Sequence, residues 1–292
     1  MSTAILRSPG EAPVIQGLAQ RADRRQGDHP ARYPPGMGLP RTYDETVDAL
    51  TAIVDGATAS RDRAGYFAVM YRAVTTTVRR WAVEGRFEDA ARMQRFVVAF
   101  AHHYLAAHAA WHSGHPCSAS WQAAFEATRR RRPIALQHLL LGMNAHINLD
   151  LGVTAAALDP GNNLEAVRPD FETINDILAG LVDACQDALG QVSPWLRLVD
   201  HIGGANDETV VRFSLIAARR NAWRVATRLA PLSGSSLDEE IAAVDRSAAQ
   251  IARVVANPGF LASAVLGVVR LREESDPATV MRVLATIQPS IV

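Results

Sequence analysis

The sequence predicts an all-α protein: a single, bundle-like multi-helix domain over residues 41–292, preceded by a disordered arm over residues 1–40. Three observations carry that reading. Apolar residues recur at helical spacing through most of the chain. Helix-start residues stand between those stretches at regular intervals. No stretch of useful length alternates apolar and polar residues as a half-buried strand would.

The arm is predicted from its composition. Arg21, Arg24, Arg25 and Asp28, with the Pro34-Pro35-Gly36 cluster, carry no apolar period. The first helix starts at Thr42-Tyr43-Asp44-Glu45, which has capping-box spacing, and buries Val47, Leu50, Ile53 and Val54. A second helix is expected from about Arg61 to Val83, stopped by Gly85. A third runs from about Phe87 to Trp111, with Phe87, Met93, Phe96, Val97, Phe100 and Tyr104 on its apolar face. A shorter one follows from Ser118 to Arg130. Pro133 then opens the most apolar helix, Ile134 to about Leu158.

Further along, Arg168-Pro169-Asp170 places a proline in the first turn of a helix that continues through Ile174, Ile177, Leu178 and Leu181 to near Gly190. Gly203-Gly204-Ala205-Asn206-Asp207 reads as a turn capping a helix from Glu208 to Leu229. Ser236-Leu237-Asp238-Glu239 has capping-box spacing. Asn257-Pro258 and Asp276-Pro277 open the last two helices.

Composition narrows the function. Positive and negative charges balance at 30 each, so no basic footprint for nucleic acid or an anionic membrane is expected. Every basic residue is arginine. The absence of lysine excludes a Schiff base, a lysine general base and a Walker lysine. The two cysteines, Cys117 and Cys185, are too few for a disulfide scaffold or a cysteine zinc site. No apolar run approaches the length needed to span a bilayer, and the start lacks a signal-peptide pattern, so a cytoplasmic location is expected. Motifs for an α/β-hydrolase elbow, a P-loop, a dinucleotide fold and a Glu-x-x-His di-iron bundle are missing. The oligomeric state is left open.

The candidate site lies in the apolar helix, at Gly142-Met143-Asn144-Ala145-His146-Ile147-Asn148-Leu149-Asp150. At 100° per residue, Leu139, Met143, His146 and Asp150 fall within about 60° of one another. Gln137, Asn144 and Asn148 cluster on the opposite side. A helix apolar nearly all round is a core helix, so these polar groups enter the interior and need partners. His146 and Asp150 stand one turn apart. That spacing suits a carboxylate–imidazole hydrogen bond, a shared metal, or a structural pair closing the core.

This block resembles the signature of a bacterial, mainly actinobacterial, family of uncharacterised helical proteins. Gly65-Tyr66-Phe67-Ala68-Val69-Met70-Tyr71 with Val74-Thr75, Gln137 to Leu151, Asp170-Phe171 with Ile174-Asn175, and Ala218-Arg219 with Ala222-Trp223 fit the same family. The resemblance covers roughly residues 40 to 235. It implies a helical domain and supplies no catalytic roles.

Two functions are expected to compete. The first is a metal-dependent, hydrolase-like enzyme acting on a small molecule. A divalent zinc, manganese or iron would be held by His146 and Asp150, with His103 and Asp170 as further ligands. Asn144, Asn148, Arg219 and Tyr71 would contact the substrate. The second is a non-catalytic module binding a ligand or partner, its polar block serving as a network that fixes helix register. A metal-free acid–base enzyme using His146 and Asp150 falls between them. Other candidates have ready structural readings. Asp170 and Asp207 suit caps, His112 and His115 suit a loop, and His201 suits the surface. His108 and His112 lack the zincin glutamate. Arg219 could stack on Trp223 or pair with Asp150.

Overall fold

The computed structural model describes residues 39–158, 164–196 and 207–287. Among the described residues the regular structure is helical throughout. The predicted arm lies outside the described residues up to position 38, and so does His201. The side chain of Asp207 is not described either. Pro40 belongs to the folded part, because its carbonyl lies 2.7 Å from His102 Nε2.

Helix α1 (Tyr43–Ser60) starts where its capping residue predicts: Thr42 Oγ1 accepts from the Glu45 amide at 3.2 Å. The Glu45 carboxylate reaches back one residue further than a capping box requires, to the Arg41 amide. Helix α2 (Gly65–Val83) ends before Gly85, whose φ of 71° is the left-handed turn the glycine was expected to supply. Helix α3 (Ala90–His112) begins three residues later than its apolar period suggested, because Asp89 is the residue that caps it. Helix α4 (Ala119–Thr128) follows.

The long central helix divides into α5 (Ala135–Ala145), a π-helical turn (His146–Asp150) and α6 (Leu151–Leu158). A short 3₁₀ turn (Leu164–Val167) leads into α7 (Arg168–Val192), then α8 (Asp207–Leu229) and α9 (Gly234–Ala256). Helix α9 is capped at Ser233, not at the predicted box on Ser236. Helix α10 (Phe260–Arg270) and α11 (Pro277–Leu284) complete the described chain. Asp276 caps α11 as its Asp-Pro pair predicted.

The central helix is surrounded. Helix α2 packs on α5, α3 on the π turn and α6, α8 on the π turn and α6, and α9 on α5 and the π turn. One apolar cluster runs through α1 to α8 and α11, and a smaller one joins Leu149 to Val225, Leu229, Val244 and Ala248. Gly142 and Gly152 permit two of these close approaches. A Cβ on Gly142 would stand 2.5 Å from the Phe67 ring, and one on Gly152 would stand 2.7 Å from Val225. Helix α10 is peripheral, with Phe260 and Leu271 exposed.

Candidate functional site

The π turn is where the chemistry-bearing residues sit. Its signature is the Leu151 amide bonding to the His146 carbonyl, five residues back. Such single-turn insertions shift the phase of everything after them and occur often at functional sites. Despite the wider turn, His146 Nδ1 lies 3.1 Å from Asp150 Oδ2, and both side chains are buried.

A second donor meets the same carboxyl group. Trp121 Nε1, from α4, donates to the same Asp150 Oδ2 at 2.9 Å. An indole N–H can only donate, so Oδ2 is an acceptor. An ionised Asp150 carboxylate can only accept, and against it His146 Nδ1 carries the proton and donates, which makes Nε2 the unprotonated nitrogen. It is buried and has no hydrogen-bond partner among the described residues.

The imidazole sits in an aromatic enclosure. Phe100 stacks on it at 3.6 Å between ring centroids, and Tyr71 meets it edge-on at 4.5 Å. Phe67 and Trp121 stand at 5.5 and 6.0 Å. Burial drives the His146 pKa well below the usual imidazole value. The same burial raises the Asp150 carboxyl to about 7. Nearby His103 and the Trp121 hydrogen bond offset part of that rise.

Beside the imidazole lies a cavity of about 70 Å³. Its wall is mostly apolar, built from α2, α3, the central helix, α7 and α8. The polar side chains in it are His146, Tyr71, Thr75 and Arg219. The Tyr71 hydroxyl is buried and unpartnered, and burial raises its pKa well above the ordinary value, with the Asp150 charge adding to the rise. Val74, Phe100 and Met143 in the wall are only half-buried, so side chains rather than backbone separate the cavity from solvent there.

A profile of one protein family matches residues 43–258. The chain belongs to that family, the family of unknown function DUF5995. No curated protein and no solved structure matches it. In this DUF5995 protein the matched span contains the π turn, its aromatic enclosure and every side chain in the cavity wall.

The structure brings together four of the residues singled out by sequence, His146, Asp150, Tyr71 and Arg219. It separates the others. Asn144 does not face the cavity. Its Nδ2 donates 2.8 Å to the Ala248 carbonyl of α9, and its Oδ1 accepts from Asn148 Nδ2 at 3.0 Å. Gln137 extends the same contact, donating to the Val255 carbonyl and accepting from the Ile134 amide. The expected substrate contacts Asn144 and Asn148 are thus helix-docking groups.

Asp170 is also elsewhere. Its carboxylate accepts from the Glu88 and Asp89 amides at 2.6 and 3.2 Å, and from Arg92 at 2.8 Å. It caps the start of α3, as anions do at helix N-termini, rather than its own helix. Three donors at the start of α3 thus engage the Asp170 carboxylate. His103 does lie close enough to feel the Asp150 and His146 charges, and burial lowers its basicity, but it bonds to neither. Among the described residues no three His, Cys, Asp or Glu side chains converge as metal ligands. The predicted quartet of His146, Asp150, His103 and Asp170 is therefore not assembled.

Arg219 pairs with neither Trp223 nor Asp150. Its Nε donates to Asn175 Oδ1, its Nη2 donates to the Phe171 carbonyl, and the guanidinium lies 4.2 Å over the Phe171 ring. Burial lowers its pKa to about 9.

Sequence reasoning missed Trp121 and His138. A tryptophan predicted to be buried needs an acceptor for its N–H, and that requirement was the available signal for Trp121. His138 is buried on α5 with neither ring nitrogen partnered, edge-on to Tyr66. Burial, with Arg63 and Arg270 nearby, lowers its pKa to about 3.

Proposed function

We propose that this protein is a metal-free acid–base enzyme acting on a small, largely apolar molecule, with His146 as general base and Asp150 as the group that orients it. One observation carries this reading: the buried, bare Nε2 of an imidazole whose other nitrogen is tied to a carboxylate. An unpartnered buried polar atom costs about 1–3 kcal/mol, and at His146, unlike at His138, that atom belongs to a side chain that lines a cavity. A substrate proton transferred to Nε2 would create an imidazolium, and the Asp150 carboxylate at Nδ1 would stabilise it. Burial keeps the resting imidazole neutral but penalises the imidazolium, and the Asp150 carboxylate would have to offset that penalty. Tyr71, beside it with a free hydroxyl and a raised pKa, would serve as a hydrogen-bond donor rather than a second base.

The test follows exchange or turnover by proton NMR in D2O on a panel of small esters, ketones and hydroxy compounds. Wild type should accelerate one class. His146→Gln and Asp150→Asn, checked for retained fold, should abolish that acceleration. A class that binds wild type tightly and undergoes no exchange or turnover favours the second reading, a non-catalytic binding protein. The Gln137, Asn144 and Asn148 face supports that second reading, because half of the polar block does serve architecture.

A further inference from the structure

Three features stand outside the His146–Asp150 pair. A surface groove between α4 and α9 is lined by Glu126, Arg130 and Arg253 among alanines. Helix α10 exposes Phe260, Val268 and Leu271. Neither shows what would occupy it. The third is Arg219, and it carries an argument.

Arg219 is 5% exposed and forms part of the cavity wall. Arginine is almost never this buried without an anion. Here its identified partners are neutral: the Asn175 side-chain oxygen, the Phe171 carbonyl and the face of the Phe171 ring. Among the described residues no carboxylate stands within ion-pairing distance of it. Asp170, one residue from Phe171, is turned away to the start of α3. Asp150, the buried acid of the π turn, is committed to His146 and Trp121. Among the described residues this desolvated cation, held by neutral acceptors on the wall of a mostly apolar cavity, has no counter-ion.

We infer that the substrate is a small apolar carboxylic acid, its carboxylate held by Arg219 and its hydrocarbon body held among Phe67, Phe96, Phe100 and Ile147. Arginine suits a carboxylate because its planar fork pairs both oxygens, and the low dielectric of the cavity strengthens the pair. Size narrows the class further. The cavity of about 70 Å³ is roughly half the volume of an apolar cavity that admits benzene. That favours the smallest acids, of roughly two or three carbons, over longer-chain or aryl acids.

The inference rests on the cavity being the substrate site of the proposed base, yet its test needs no turnover. Isothermal titration of the full chain would compare acetate and propionate with their primary amides, which match them in shape and lack the charge. The acids should bind about tenfold or more tightly than the amides, the margin of a charge-assisted hydrogen bond. Arg219→Gln should remove that margin, and His146→Gln should keep it. Should Arg219→Gln fail to fold, Val74→Phe fills the cavity from its half-buried wall with Arg219 intact, and it should abolish acid binding. Equal affinity for acid and amide, no acid binding at millimolar concentration, or a margin surviving either cavity variant overturns the inference. A margin lost only in the Arg219 and Val74 variants, with no exchange chemistry found, retains this inference and removes the base.

Discussion

The central helix carries polar groups into the interior on two faces, and the two are resolved differently. On one, Gln137 and Asn144 donate to the Val255 and Ala248 carbonyls of α9, and Asn148 closes onto Asn144. On the other, Asp150 bonds to His146 and accepts from Trp121, and the outer nitrogen of the imidazole, whose side chain lines a cavity, has no partner among the described residues. The first face behaves like a docking code, since each amide that leaves water finds a fixed acceptor and fixes the register of α9. The second spends stability on a group that the fold does not use. A fully paired network needs no function beyond packing, whereas an unpaired group maintained at a cavity wall points to a ligand.

The widest gap between the faces should appear on removing Asp150. Asp150→Ala strips the acceptor from two buried donors at once and should cost about 3–5 kcal/mol in denaturant unfolding. A cost below 1 kcal/mol would mean the pair is open to water.

Titration separates the faces next, since only one of them ionises. The Asp150 pKa is raised from 3.8 to about 7 by burial, so the folded state binds that proton more tightly than the unfolded state does. Its contribution is full below the unfolded value and fades as the pH rises through the folded value. The stability advantage of wild type over Asp150→Asn should therefore be largest in acid and shrink between about pH 4 and 7, by on the order of a few kcal/mol. The stability difference between wild type and Asn144→Ala should be flat across the same range.

Packing behind the imidazole comes third. Gly142→Ala would set a Cβ against the Phe67 ring and its own Cβ, 2.5 to 2.8 Å away, and both sides belong to packed helices. Melting should show a loss of about 1–3 kcal/mol. The smallest effect belongs to the docking face. Asn144→Ala removes one buried bond to Ala248 and frees a half-buried Asn148, costing about 1–2 kcal/mol without altering ligand binding. A change in binding there would return Asn144 to the site.

The sequence made the helices legible because their ends are written locally. Thr42, Gly85 and Asp276 stop or start the chain where their side chains or backbone freedom require. It also placed His146 and Asp150 together in the core, since a four-residue spacing survives small changes of pitch. What it could not show was the π turn, which adds a residue per turn without any residue type that marks it. Nor could it show which polar groups meet which partners. Asn144 looked like a substrate contact because its acceptor is a backbone carbonyl 104 positions away. Asp170 looked like a metal ligand or a cap for its own helix, and it caps α3 across 81 and 82 positions. Arg219 was expected to contact substrate, stack on Trp223 or pair with Asp150. Its neutral partners, Asn175 and the Phe171 carbonyl, come from another helix and were not legible.

The most direct measurement is the protonation of His146 itself. Long-range nitrogen–proton NMR on labelled protein, with the signal assigned by its loss in His146→Gln, reports which ring nitrogen holds the proton. A neutral ring with Nδ1 protonated and Nε2 bare, unchanged well below the ordinary imidazole pKa, is the predicted result. A ring protonated at Nε2, or charged near neutral pH, would contradict the claim that His146 stands as an oriented, unoccupied base.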